Sequence, residues 1–161
     1  MPLLDLNRAD DGHTAARLSG ELVIWLGTAG SNGQPHQVPV WFCWRDPVVL
    51  IFSMAGTRKL RELERNPLVT LNLDSAASGQ DVVLAEGQAV VGAAPAVEEL
   101  AGAFGAKYAA MLGNGNPDPD RDPAGGLAQW RATFSVPILV TVSKIVAWRR
   151  QSGQLAYRSV P

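Results

Sequence analysis

The chain has a single cysteine, Cys43, and two histidines, His13 and His36. One cysteine excludes an internal disulfide framework and any cysteine-rich zinc site. Two histidines are too few for most histidine-based metal centres, so no metal site is expected. Charge of either sign is also scarce: 14 Lys and Arg stand against 15 Asp and Glu, a formal net charge of −1. That leaves no global electrostatic case for nucleic acid or an anionic membrane as partner. Long hydrophobic runs are absent. Apolar stretches such as Val48 to Phe52 fall far short of the about 20 residues a bilayer-spanning helix needs. Asp5, Asp10 and Asp11 stand where a secretory signal would carry basic residues. The expected setting is therefore the reducing cytoplasm. No Walker-type or dinucleotide-type glycine pattern occurs.

What is present describes one globular domain spanning residues 1–161. Hydrophobic residues make up 47% and charged residues 18%, which excludes wholesale disorder. Sixteen glycines and eleven prolines favour many turns. Residues 22–29 are rich in β-branched and aromatic side chains, and Asn32-Gly33 predicts a tight hairpin turn into a return strand over 36–45. Arg45-Asp46-Pro47 predicts a second turn, and 48–54 a third strand. The period then changes: Leu60 and Leu63 predict a short helix over 57–66, with Thr57 as N-cap and Pro67 as stop. Alternation returns over 68–74 and again over 81–92, where Gly87 suggests a bulge or a close backbone approach. A helix is predicted over 95–112 and a shorter one over 124–132, with a polar loop at 113–123 between them. A last long strand covers 137–149, and 151–161 either adds an edge strand or frays. Residues 1–17 carry no assignment. About six strands joined mostly by short turns, with two or three helices, predict a mainly β (α+β) antiparallel barrel with helical insertions.

Two features could carry chemistry. The return strand is apolar on both parities: Val38, Val40, Phe42 and Trp44 on one, Pro39, Trp41 and Cys43 on the other. A small barrel fills its interior with one face. The other must meet a ligand, a helix or another subunit, or the strand is simply buried on both sides. Pro39 cannot donate to a ladder, which marks an edge or an interruption. The second feature is Ser53-Met54-Ala55-Gly56-Thr57-Arg58-Lys59, which sets hydroxyls, a glycine and two cations at a helix start. Free N–H groups there favour an anion, and cations there ask for an anionic partner. A solvated face is the alternative, with Arg58–Glu62 and Arg61–Glu64 as helix-surface pairs. Cys43 reads as a small buried hydrophobe, and His36 as a solvated hairpin residue. Asp118, Asp120 and Asp122 lack the glycine and terminal glutamate of a calcium loop. The five tryptophans read as core or interface mass.

Taken in order, Val23-Ile24-Trp25-Leu26-Gly27-Thr28, Asn32-Gly33-Gln34-Pro35-His36, Val38-Pro39-Val40-Trp41-Phe42, Phe52-Ser53-Met54-Ala55-Gly56-Thr57-Arg58-Lys59-Leu60 and Asn66-Pro67-Leu68-Val69-Thr70-Leu71 resemble the pyridoxamine-phosphate-oxidase-like split β-barrels. The likeness is closest to the actinobacterial branch associated with the deazaflavin coenzyme F420. Lys107-Tyr108 and Phe134-Ser135-Val136-Pro137 extend it, so it covers about residues 18–148. The resemblance implies a six-stranded split barrel that forms a homodimer with the cofactor at the subunit interface. It implies an oxidoreductase passing a hydride between F420, or alternatively FMN, and a small organic substrate. A cofactor-binding protein without turnover is the remaining alternative. Carried over by position, Val38, Pro39, Val40 and Trp41 would lie along the tricyclic ring, and Ser53 and Met54 would border it or its ribityl chain. Thr57, Arg58 and Lys59 would hold the phosphate, and Arg61 would meet the acidic tail of the deazaflavin. Lys107 and Tyr108 would face the site from the partner subunit. No residue is singled out as a protein general acid.

Overall fold

A computed structural model describes residues 1–92, 94–112, 123–151 and 154–160. Its helices are α1 (Ala9–Gly20), α2 (Arg58–Leu63), α3 (Pro95–Lys107), α4 (Ala109–Leu112) and α5 (Pro123–Thr133). Its strands are β1 (Val23–Ala29), β2 (Pro35–Arg45), β3 (Val48–Ser53), β4 (Leu68–Asn72), β5 (Asp81–Val91), β6 (Val136–Gln151) and β7 (Gln154–Val160). The predicted loop at 113–123, with Asp118, Asp120 and Asp122, lies almost wholly outside the described residues.

All seven strands form one antiparallel sheet in the order β3-β2-β1-β4-β5-β6-β7, and a β3–β6 pairing closes the first six into the expected split barrel. Closure removes the free edges that an open sheet would offer to other chains. β6 is long enough to serve two partners. Its first half pairs with β3 from Val136 to Thr141, and its second half with β7 from Ile145 to Gln151. The C-terminal segment thus adds an edge strand. Gly87 marks the bulge that the sequence suggests: the β5–β6 register shifts between Glu86 and Gly87, and a Cβ at Gly87 would stand 2.4 Å from the Thr141 carbonyl oxygen.

Local differences from the predicted elements have identifiable causes. The β1–β2 connection is a three-residue loop with only Gly33 at positive φ (+78°), closed by the Gly30 and Gln34 backbones. It is not a two-residue primed turn. α2 ends at Leu63, three residues early, because Arg65 and Asn66 both donate back to the Glu62 carbonyl and tighten the last turn. The predicted 95–112 helix breaks at Tyr108, whose side chain is drawn into the interior. α1 was not anticipated. It carries Asp10 and Asp11 in its first turn and Arg17 in its last, which complements its dipole.

α1 is held by buried charge. Asp11 is fully buried and pairs with Arg158 of β7 at 3.0 Å. Arg17, also buried, meets Asp81 of β5 at 3.0 Å and the Asp74 carbonyl at 2.6 Å. His13 sits 2.8 Å from the same Asp81 carboxylate.

Two apolar clusters result. One fills the barrel, with Ile24, Leu26, Phe42, Ile51, Leu71, Ile138 and Ile145 among its buried members. The second lies outside it, where α3 lays Val97, Leu100, Ala101 and Phe104 over Cys43, Leu50, Phe52 and Leu139. The two parities of β2 divide between them. Val38, Val40, Phe42 and Trp44 serve the barrel, and Trp41 and Cys43 serve the helix side. Among the described residues no helix is long and apolar enough to cross a membrane.

Candidate functional site

The second parity of β2 opens onto a cleft of about 340 Å³ lined by Val23, Pro39, Val40, Trp41, Phe52, Ser53, Met54, Thr57, Lys59, Trp130 and Phe134. It forms because β2 runs past β3. β1 pairs with β2 from Pro35 through Trp41, whereas β3 joins only from Phe42. Pro39 therefore sits where β2 has one free edge, and its missing N–H costs no ladder bond. One end of the cleft is aromatic and apolar. The other is polar, formed where β3 hands over to α2.

At the polar end, Ser53 is buried and its hydroxyl donates to the Met54 carbonyl at 2.9 Å, while Thr57 lies 3.1 Å from it, hydroxyl to hydroxyl. Thr57 stands at the N-cap position but makes no side-chain capping bond, so its oxygen serves Ser53 and the cleft. Lys59 is half-buried, and burial pushes its pKa below the ordinary 10.5. Among the described residues it forms no ion pair, because Glu62, one turn on, is already committed. Glu62 is buried and accepts from the Thr28 hydroxyl at 2.5 Å and from Arg58 Nε at 2.7 Å. Burial works to raise its pKa, but those two bonds and the nearby Arg58 and His36 charges outweigh it and hold it below 4.5. Lys59 is thus the cation of α2 left facing the cleft without a counter-charge.

The other sequence-predicted residues divide. Pro39, Val40, Trp41, Ser53, Met54, Thr57 and Lys59 are brought together. Val38 is not: it lies outside the cleft lining and packs against the barrel core, as Val40 also does while bordering the cleft. Arg58 lies outside the cleft lining, exposed and pinned by Glu62. The Arg61 guanidinium folds back to donate to the Gly56 carbonyl at 2.7 Å and stays exposed. The expected Arg61–Glu64 pair does not form.

Lys107 and Tyr108, expected to face the site from the partner subunit, lie in this chain against Phe42 and Trp41. Tyr108 is fully buried and stacks on Trp41. Its hydroxyl accepts from the Phe42 amide at 2.9 Å and donates to the Leu22 carbonyl at 2.7 Å. Burial pushes its pKa up to about 12. Lys107 lies with Nζ 3.8 Å from the Phe42 ring centroid and without a hydrogen-bond partner, and burial pushes it down to about 8. His36, expected to be solvated, is half-buried with Nδ1 3.4 Å from Glu62.

Sequence reasoning missed Trp130 and Phe134. They stand four apart, one at the end of α5 and one just beyond it, so they share a face. That spacing was the available signal. Trp130 stacks on Trp41 at 4.5 Å between centroids and Phe134 on Trp130 at 3.8 Å.

The closed six-stranded barrel with its helix-covered flank defines a split β-barrel. The family profile for pyridoxamine 5'-phosphate oxidase matches residues 11–134, and the chain belongs to that family. Among curated protein sequences none is similar enough to match. Solved structures repeat the fold at low identity. A conserved hypothetical protein of Mycobacterium tuberculosis is 20% identical with a TM-score of 0.67, covering 88% of each chain. A protein described as an F420 reductase is 17% identical with a TM-score of 0.56, covering 81% of this chain and 93% of its own. HutZ, the haem storage protein of Vibrio cholerae, is 14% identical with a TM-score of 0.59, covering 93% and 94%.

Proposed function

We propose that the protein is a deazaflavin-dependent oxidoreductase that holds coenzyme F420 in the cleft beside β2. The observation that carries the reading is the pairing of a flat apolar wall with an uncompensated cation in one concavity. Pro39 and Trp41 share the parity turned to the cleft, Val40 borders it, and Lys59, Thr57 and Ser53 close the end. A planar ring on a phosphate-bearing chain matches that division. The residues present fit such a group: Lys59 lacks an anion, and the Thr57 hydroxyl is not spent on capping. When bound, the cofactor supplies the hydride chemistry. The protein's part is to position the ring, shield it from water and neutralise the phosphate.

F420 is preferred over FMN because α2 and its end carry more positive charge than one phosphate uses. Arg61 and Arg65 are both exposed, and among the described residues Arg65 forms no ion pair. Both suit an acidic tail running out of the cleft. Haem, by contrast, asks for an axial His, Cys, Tyr or Met. Among the described residues the cleft offers only Met54, and His13 and His36 lie outside its lining. The reading includes a homodimer in a cytoplasmic setting. The outer face of β4 and β5 leaves Leu68 and Val90 exposed at 57% and 62%, beside a groove of about 630 Å³ bordered by His36, Thr70 and Gln88. A second copy of the chain covering that face would remove them from water. Side-by-side titration of the purified protein with F420, FMN and haem, followed by visible absorbance, tests the proposal. F420 should bind tightest. Equal or tighter FMN binding moves the assignment to FMN, and haem binding alone removes the enzyme. Sedimentation at micromolar concentration should give a dimer.

A further inference from the structure

Trp41 is sandwiched within its own chain. Tyr108 stacks on it at 4.5 Å and 1°, and Trp130 at 4.5 Å and 9°. Two parallel rings at that distance cannot share one face, so they take opposite ones. Tyr108, just beyond α3, covers one face, and Trp130, which lines the cleft together with Trp41 and Phe134, covers the other. Phe134 continues the pile beyond Trp130 at 3.8 Å and 11°. Four rings therefore run in one stack, and the third occupies the position where a planar ligand in this cleft would lie against Trp41.

The polar hold on that third ring is light. Among the described residues, the polar tie from α5 to α3 is Arg131–Glu98 at 2.9 Å, with the Glu98 side chain 69% exposed, a setting in which an ion pair contributes little. The remainder is apolar: Leu127, Trp130 and Phe134 pack on the cluster under α3, and the Arg131 guanidinium lies 5.1 Å from the Phe52 ring centroid. Among the described residues Trp130 Nε1 is buried without an acceptor. A buried donor left unpaired is a penalty carried by this position, and it is relieved if the indole moves to water or meets a ligand carbonyl. By contrast, the Tyr108 side of the stack is anchored by two hydrogen bonds to backbone.

We propose that α5 is a lid whose Trp130 plugs the stacking place on Trp41 in the free protein and yields it to the flat aromatic heterocycle of the incoming ligand. This rests on the reading of the cleft as the cofactor site. A plug lowers apparent affinity by the fraction of molecules in which it is withdrawn, so removing it should tighten binding, whereas removing a fixed wall should weaken it.

The lid can be stapled. A Cβ built on Gly105 lies 3.6 Å from Leu127 Cβ, within the range a disulfide spans. The experiment uses the Gly105→Cys/Leu127→Cys protein, oxidised and then reduced, with F420 and FMN as probes in equilibrium dialysis. The oxidised form should bind the preferred cofactor at least tenfold more weakly than the reduced form. Adding Trp130→Leu should abolish that difference, and Trp130→Leu alone should bind at least threefold tighter than wild type. Equal binding in both redox states, or weaker binding by Trp130→Leu, overturns the lid. If neither cofactor binds the reduced protein or Trp130→Leu, the cofactor reading is what fails. Amide hydrogen exchange of the free wild-type protein then decides the lid. Exchange in α5 at least tenfold faster than in α3 supports it, and equal rates overturn it. Should the double-cysteine protein not fold, the Trp130→Leu affinity and the exchange rates carry the decision.

Discussion

Lys59→Met separates the site from the fold. The substitution keeps an apolar stem of similar length and removes the ammonium. In the free protein that ammonium is half-buried, forms no ion pair and has its pKa pushed down by burial. Its charge therefore costs the empty fold something and returns nothing to it. The variant should melt no lower than wild type. With a phosphate in the cleft the balance reverses, since a charge-assisted hydrogen bond to phosphate contributes about 1.5–3 kcal/mol. Affinity for F420 should fall by about one to two orders of magnitude, measured by titration at low ionic strength. Part of the loss is screened attraction, so the gap between wild type and variant should narrow in high salt. The pH dependence has a definite sign. A lowered Lys59 pKa means that the free protein loses this charge earlier in the alkaline range than an ordinary lysine would. Wild-type affinity should fall as pH rises there, and the Lys59→Met affinity should stay flat. Glu64→Ala, exposed on the same segment, should leave affinity unchanged or raise it. Wild-type affinity in Lys59→Met would refute the placement of the anion, and a large drop in melting temperature would show that Lys59 serves the fold.

Two further outcomes follow from the buried polar groups. For Asp11, burial works to raise the pKa, but the Arg158 and Asp5 hydrogen bonds and the Arg158 and Arg8 charges outweigh it and hold it below 3.8. A carboxylate depressed in the folded state contributes stability that is present above its unfolded pKa and is lost as pH falls through its folded value. Urea midpoints of the wild type should thus drop steeply below pH 4, and Asp11→Asn should show a shallower drop. At pH 7 the variant should be about 1–3 kcal/mol less stable, under the 3–5 of a fully buried broken pair because Arg158 reaches solvent. Tyr108→Phe keeps the ring on Trp41 but leaves the Phe42 amide without its acceptor. It should cost about 1–3 kcal/mol in denaturant unfolding while cofactor affinity stays within about twofold of wild type; a large affinity loss would return Tyr108 to the site.

Much of the barrel was legible along the chain. The alternation at Val69, Leu71 and Leu73 reports one buried face directly, because side-chain direction in a strand has period two. Gly87 announced its bulge because no other residue fits 2.4 Å from a carbonyl. The doubled apolar pattern of β2 left a ligand, a helix, another subunit or simple two-sided burial open, and in this chain α3 and α5 pack on that side. α1 was illegible because it is held by ion pairs to residues 64 and 147 positions away, Asp81 and Arg158, rather than by an apolar stripe of its own.

The site divides in the same way. Residue type and local spacing determined which groups could bind an anion and a flat ring, since Ser53, Thr57 and Lys59 lie within seven residues and Pro39 and Trp41 share a parity. Tertiary structure alone decided which of them remain available. Arg58 and Lys59 are adjacent and chemically alike in sequence, yet Glu62, buried against Thr28 of β1, takes one and leaves the other. Trp41 is apolar and aromatic wherever it stands, but only the packing of α3 and α5 puts Tyr108 on one face and Trp130 on the other. Sequence dictates local chemistry because propensity and periodicity act over a few residues. Partner choice follows from desolvation and close packing, which exist only once distant segments meet.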